Sequence, residues 1–131
     1  MENKGILLLD TNILLRYFLK DNETMFRQAR RIIDENSCIV LPSILQEVMY
    51  VLSGPVYQIP RELIAEAVKQ SFADIFYTEH EIIEQALEFY IQTPEPDFPD
   101  CLLLAYHDIC SIDVATFDQK LNKKLEKSFS E

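Results

Sequence analysis

The chain has 131 residues, 48% of them hydrophobic, with three cysteines and a formal net charge of −10. That size fits one globular domain over residues 1–131 with a core of its own; the acid excess argues against a protein that coats nucleic acid through a basic surface. No run approaches the ~20 apolar residues that span a bilayer.

Ile6-Leu7-Leu8-Leu9 is an apolar run without alternation, which predicts a first strand buried on both faces of a parallel sheet. It stops at Asp10-Thr11-Asn12, and Ile13, Leu14, Tyr17 and Phe18 follow at helical spacing. Asp21 and Asn22 interrupt that pattern, and a second helix is predicted from Glu23 to Asn36. Cys38 to Leu41 reads as a second strand stopped by Pro42, and Ser43 to Leu52 as a third helix. Ile59-Pro60 opens a fourth helix, with Leu63, Ile64, Ala67, Val68 and Phe72 as its inward stripe. Ile75-Phe76-Tyr77 is a short third strand. Thr78 with Glu81 matches a capping box for a helix running to Gln92, its inward face Ile82, Ile83, Ala86, Leu87 and Tyr90. Thr93 to Pro99, with three prolines in seven residues, reads as a loop. Leu102 to Ile109 returns to helix, and Ile112 to Ala115 is predicted as a fourth strand. Thr116-Phe117-Asp118 then leads into a basic terminal helix carrying Leu121 and Leu125. Strands alternating with helices, usually in pairs, predict an α/β fold, a short parallel sheet flanked by helices on both faces.

Cys38, Cys101 and Cys110 have no metal-ligand spacing to His80 or His107 and read as core residues of a reduced protein. Each histidine reads as a surface or helix-packing residue. Glu2 and Lys4 do not form a basic leader, so a soluble, cytoplasmic protein is expected. Residues 32–118 hold sixteen acids against two basic residues, whereas the flanks hold ten basic residues against six acids. Arg16, Lys20, Arg27, Arg30, Arg31 and the terminal lysines are therefore candidates for a local basic track, or simply solvated helix faces.

Four acids lie at the ends of elements. Asp10 follows the first strand, Glu47 lies in the first turns of the third helix, Asp100 follows Pro99, and Asp118 follows the predicted fourth strand. Each has a local excuse: the aspartates suit helix caps, and Glu47 suits an exposed helical face. Positions after parallel strands, however, share one edge of the sheet, where ligands bind in such folds. Carboxylates gathered there repel one another unless protonated, solvated or neutralised by cations. Oxygen ligands without cysteine or histidine favour Mg²⁺ or Mn²⁺, ions suited to phosphoryl chemistry.

Asp10-Thr11-Asn12, Glu47, Asp97-Phe98-Pro99-Asp100 and Thr116-Phe117-Asp118, in this order, resemble the acidic signature of PIN-domain ribonucleases. The similarity is strongest to the small bacterial VapC-type toxins, and it covers essentially the whole chain. It implies a PIN-like three-layer fold and an Mg²⁺- or Mn²⁺-dependent endoribonuclease acting on RNA. Asp10 and Asp100 would be the leading metal ligands, with Glu47 and Asp118 completing the pocket and positioning water. Asn12 and Thr116 would support these acids, and Asp97 would be either an outer acid or a loop cap. A homodimer and a small inhibitory antitoxin protein are also implied. The family commonly closes with a fifth strand, for which Lys127 to Glu131 offers little material.

Three other readings compete. A non-catalytic PIN-like interaction domain would bind a protein partner through its acidic surface. A phosphatase with an aspartyl nucleophile would want a second aspartate where Asn12 stands, and a receiver domain would want a lysine better placed than Lys120.

Overall fold

Three short runs of β-forming residues make one parallel sheet in the computed structural model, which describes residues 5–129 and side chains as far as Glu126. They are β1 (Gly5–Leu8), β2 (Asn36–Val40) and β3 (Ile75–Tyr77), in the order β1-β2-β3. Leu7 pairs with Cys38, and Cys38 in turn with Ile75. Parallel pairing needs long crossovers, and helices supply them. Helices α1 (Thr11–Leu19) and α2 (Glu23–Glu35) join β1 to β2, and α3 (Pro42–Ser53) and α4 (Arg61–Ser71) join β2 to β3. Three further helices follow: α5 (His80–Gln92), α6 (Phe98–Cys110) and α7 (Gln119–Phe129). The α/β class and the parallel sheet are those expected from the sequence. The chain packs as two compact units, Met1–Thr78 and Glu79–Glu131.

In the first unit, α3 packs on α1 and α4, while α2 packs on β2 and α1. The shared core comprises Leu14, Val40, Leu45, Val48, Ile64, Val68 and Tyr77, all with at most a trace of exposure. Local chemistry sets the helix ends. Asn22 accepts a hydrogen bond from the Met25 amide at 3.0 Å and so starts α2. Pro42 occupies the first turn of α3, where its missing N–H is no loss. In the second unit α6 packs against both α5 and α7. Leu104, Leu121 and Leu125 form the contact, with Phe89 and Val114 packed against them.

The structure corrects several expectations. β1 is exposed along its length, Ile6 to 73% and Leu8 to 65%, and burial begins only at Leu9. As the first strand in the sheet order it has a neighbour on one side only, so an apolar run proved insufficient evidence for burial on both faces. No strand forms over residues 112–115. The Ile112 carbonyl is instead bonded to His107 Nδ1 at 2.8 Å, and Val114 packs on the α7 leucines. The capping box at Thr78 is absent because the Thr78 amide still bonds to the Val40 carbonyl at the end of the sheet. Helix α5 starts two residues later, after Glu79 in a left-handed conformation, with Glu79 accepting a hydrogen bond from the Tyr106 hydroxyl.

Helix α6 begins earlier than expected, at Phe98, with Pro99 tolerated in its first turn. On α4, Ala65 rather than Leu63 faces inward. Cys38 and Cys101 are buried, but Cys110, the last residue of α6, is exposed. His107 is buried and serves packing. The five inward residues expected on α5 are all buried. No helix among the described residues is long and apolar enough to cross a membrane. Glu2 and Lys4, and the final residues 130 and 131, lie outside the described residues.

Candidate active site

Asp10 occupies the turn between the sheet and α1 in an extended conformation, the backbone geometry of an N-cap. Its Oδ1 accepts from the Ile13 amide at 2.9 Å, and its carbonyl accepts from the Leu14 amide. The capping role is therefore real, but it occupies one carboxylate oxygen and leaves Oδ2 for a second task. One residue on, the Thr11 hydroxyl donates to Glu47 Oε2 at 3.0 Å, from the start of α1 to α3. Asp10 and Glu47 thus stand on either side of Thr11, the residue that holds Glu47 in place. Thr11 as the brace was not distinguishable in the sequence from a spare N-cap. Asn12 is exposed on α1, with no hydrogen bond to either acid.

Asp97, Asp100 and Asp118 belong to the second unit. Asp97 sits at the N-cap position of α6 without a side-chain cap bond, and its carbonyl accepts from the Cys101 amide. Asp100 lies in the first turn of α6, half-buried. Asp118 starts α7: its Oδ1 accepts from the Leu121 amide at 3.1 Å and its carbonyl from the Asn122 amide. Thr116 braces that turn twice, with Oγ1 accepting from the Asp118 amide and its carbonyl accepting from Asn122 Nδ2. As with Asp10, capping uses one oxygen of Asp118 and leaves the other.

Asp100 and Asp118 line one hollow of about 290 Å³ with Glu95, Pro96, Lys120 and Lys124. Lys120 Nζ is paired with Glu95 Oε2 at 3.1 Å. The Asp100 carboxyl is held above the ordinary aspartate range, first by burial and then by the negative charges of Asp118 and Asp97. The nearby lysines do not cancel that repulsion. Glu95 was not singled out in the sequence, because an acid between two prolines looks like ordinary loop composition.

The side-chain acids in these two groups offer carboxylate oxygens, the hard donors that Mg²⁺ and Mn²⁺ prefer. Among the described residues, no three His, Cys, Asp or Glu side chains are gathered closely enough to form a metal cage. That placement still suits Mg²⁺, which keeps most of its waters and is commonly bound through one or two carboxylates plus substrate phosphate. The donor chemistry fits a hydrated divalent ion rather than a fully protein-ligated one.

No curated protein and no solved structure matched the chain. The family comparison did find a match, to the PIN domain over residues 7–126, a span that contains both units' acids. The family is generally nuclease-like and generally uses divalent metals. With most of its length matched and Asp10, Glu47, Asp100 and Asp118 all inside the matched span, the chain belongs to the PIN domain family.

Proposed function

We propose that the protein is an endoribonuclease dependent on Mg²⁺ or Mn²⁺, with Asp10 and Asp100 as leading ligands and Glu47 and Asp118 completing the site. The observation that carries this reading is the hollow lined by both Asp100 and Asp118, where burial first, and then the charges of Asp118 and Asp97, hold the Asp100 carboxyl above the ordinary aspartate range. Such a cost is tolerated at sites whose work requires it. A divalent ion, when bound, supplies Lewis-acid stabilisation of charge on the phosphoryl and leaving oxygens. The chain's own part is orientation and proton handling. Backbone amides of Ile13 and Leu121 fix one oxygen each of Asp10 and Asp118, so both carboxylates are aimed before substrate arrives. Glu47, steadied by Thr11, orients the attacking water. In hydrolysis, that water's oxygen forms the new bond to phosphorus, one ester P–O bond breaks, the water's proton passes to a carboxylate, and the departing oxygen takes a proton from solvent.

The finer reading is a VapC-type toxin, a cytoplasmic homodimer restrained by a small antitoxin protein. The order of the chain's four acids supports it. A short neighbouring reading frame for a DNA-binding protein would add to that support.

The test is incubation of purified protein with total RNA, with and without Mn²⁺. Cleavage is expected only with the ion and is expected to fall about 100-fold or more in Asp10→Asn and Asp100→Asn, since even outer partners of metal ligands cost 10–100-fold. Full activity in both folded variants would overturn the assignment. Absence of cleavage in the folded wild type, with a protein partner still bound by both variants, would identify a non-catalytic interaction domain.

A further inference from the structure

A second hollow in the Glu79–Glu131 unit measures about 540 Å³, within the range of small-molecule sites. Phe89 and Leu104 line its apolar part; Gln92, Lys120, Lys123 and Lys124 stand around it, with the acids Glu95, paired to Lys120, and Asp108, within reach of the Gln85 amide. It shares Glu95, Lys120 and Lys124 with the hollow that holds Asp100 and Asp118, so the two are contiguous along α7.

The positive charges of the chain are differently committed. Arg16 is paired with Asp21, Arg27 with Glu23, and Arg30 with Asp34 and Asp74. Lys20 lies over the Phe26 ring, and Arg31 is exposed on α2 and lines no part of the hollow that holds Asp100 and Asp118. Lys120 is paired with Glu95. No acid among the described residues pairs with Lys123 or Lys124. Two uncompensated lysines beside an apolar floor with an aromatic ring match a nucleotide: phosphate for the cations, a base face for the ring. The Gln92 amide adds a donor and an acceptor for a base edge.

We infer that this hollow seats the RNA nucleotide flanking the scissile phosphate, with Lys123 and Lys124 on the backbone and Phe89 against the base. The inference rests on the ribonuclease reading and gives it a strand path: from the acid hollow onto the lysines of α7. Among the basic residues that could form an RNA track, it selects those near the end of the chain over those near the start.

The probe is a labelled single-stranded RNA of about 12 nucleotides, within the usual footprint of such sites, followed by fluorescence anisotropy in EDTA so that binding is read without cleavage. K123Q/K124Q is expected to weaken binding about 10-fold and to reduce the log–log salt slope by about 1.4, two phosphate contacts at ~0.7 each on single strands. R27Q/R31Q, with the same change in net charge, is expected to bind as wild type. Phe89→Leu is expected to weaken binding several-fold without altering the salt slope, because stacking releases no counterions. In the Mn²⁺ assay, K123Q, which changes the lysine outside the acid hollow, is expected to raise KM more than it lowers kcat.

Unchanged affinity and unchanged salt slope in folded K123Q/K124Q would overturn the inference, and Mn²⁺-dependent cleavage with unchanged KM in K123Q would do so while leaving the ribonuclease reading intact. Lysine-dependent RNA binding by a wild type that cleaves nothing would keep the seat and defeat the nuclease. Binding of an acidic peptide in place of RNA would defeat both.

Discussion

The two units differ in how they treat their charges. In the first, Asp10 caps α1, Glu47 accepts from Thr11, and Arg16, Arg27 and Arg30 are paired with acids, while Lys20 and Arg31 have no acid partner among the described residues. Even Tyr17 is tied in, donating to Asp74 at 3.2 Å, with its ionisation pushed up by burial first and then by that carboxylate. In the second, Asp100 is crowded by Asp118 and Asp97, and Lys123 and Lys124 lack acid partners. Satisfied groups stabilise a fold. Solvent-accessible charges without partners are hydrated in the free protein and stay available to a ligand, as Lys123 and Lys124 do.

Asp100→Asn tests that contrast most severely, because activity and stability should move in opposite directions. Cleavage falls about 100-fold or more, as argued from the cost of disturbing metal ligands. Stability rises at neutral pH. The sign follows from linkage: the native carboxyl binds its proton more tightly than the unfolded one, so native stability is lost as pH rises from the ordinary aspartate value of about 3.9 through the raised one. Asparagine removes that loss. The gain in Tm is expected above the titration window and should vanish below it, where the wild-type group is protonated in both states. Added Mg²⁺ should raise the Tm of the wild type more than that of Asp100→Asn. A variant less stable than wild type at pH 7 would mean that the repulsion is already compensated.

Leu125→Ala probes what presents the lysines. Leu125 is 7% exposed and packs with Leu104 and Leu121, the small cluster that docks α7 on α6. Truncation is expected to cost about 2 kcal/mol or more. Thermal unfolding by circular dichroism measures the loss, and RNA affinity should fall with it, because Lys123 and Lys124 ride on that helix. Retained affinity despite the lost stability would detach the basic track from α7.

Much of this arrangement was legible in the sequence, and the failures share a cause. The helices were readable because a 3.6-residue stripe is a property of one segment, as on α5, where all five expected residues are buried. Strand burial and strand existence depend on neighbours that no segment encodes. Ile6 to Leu9 read as an apolar run and Ile112 to Ala115 as one interrupted only by Asp113, yet Ile6 to Leu8 is an exposed edge and the second is drawn to His107 and the α7 leucines. The same limit explains the capping box: Thr78 had the right chemistry but was already bonded to Val40. The acids could be named from their positions at element ends. That two of them would each keep one oxygen for a cap and one in reserve could be seen only with the amides in place.

The smallest effect separates those two duties in the first unit. Asparagine caps a helix about as well as aspartate, whereas alanine offers no acceptor and typically costs about 1 kcal/mol. Asp10→Asn should therefore unfold within about 0.5 kcal/mol of wild type, with the Ile13 amide still satisfied, and Asp10→Ala about 1 kcal/mol lower. If Asp10 were only a cap, RNA cleavage would follow stability, surviving in asparagine and weakening in alanine. If its second oxygen holds a cation, both variants lose cleavage alike, because both remove the charge. Equal stability with unequal activity between wild type and Asp10→Asn is the result that assigns the carboxylate to the site, and paired denaturation and Mn²⁺-dependent cleavage assays measure it directly.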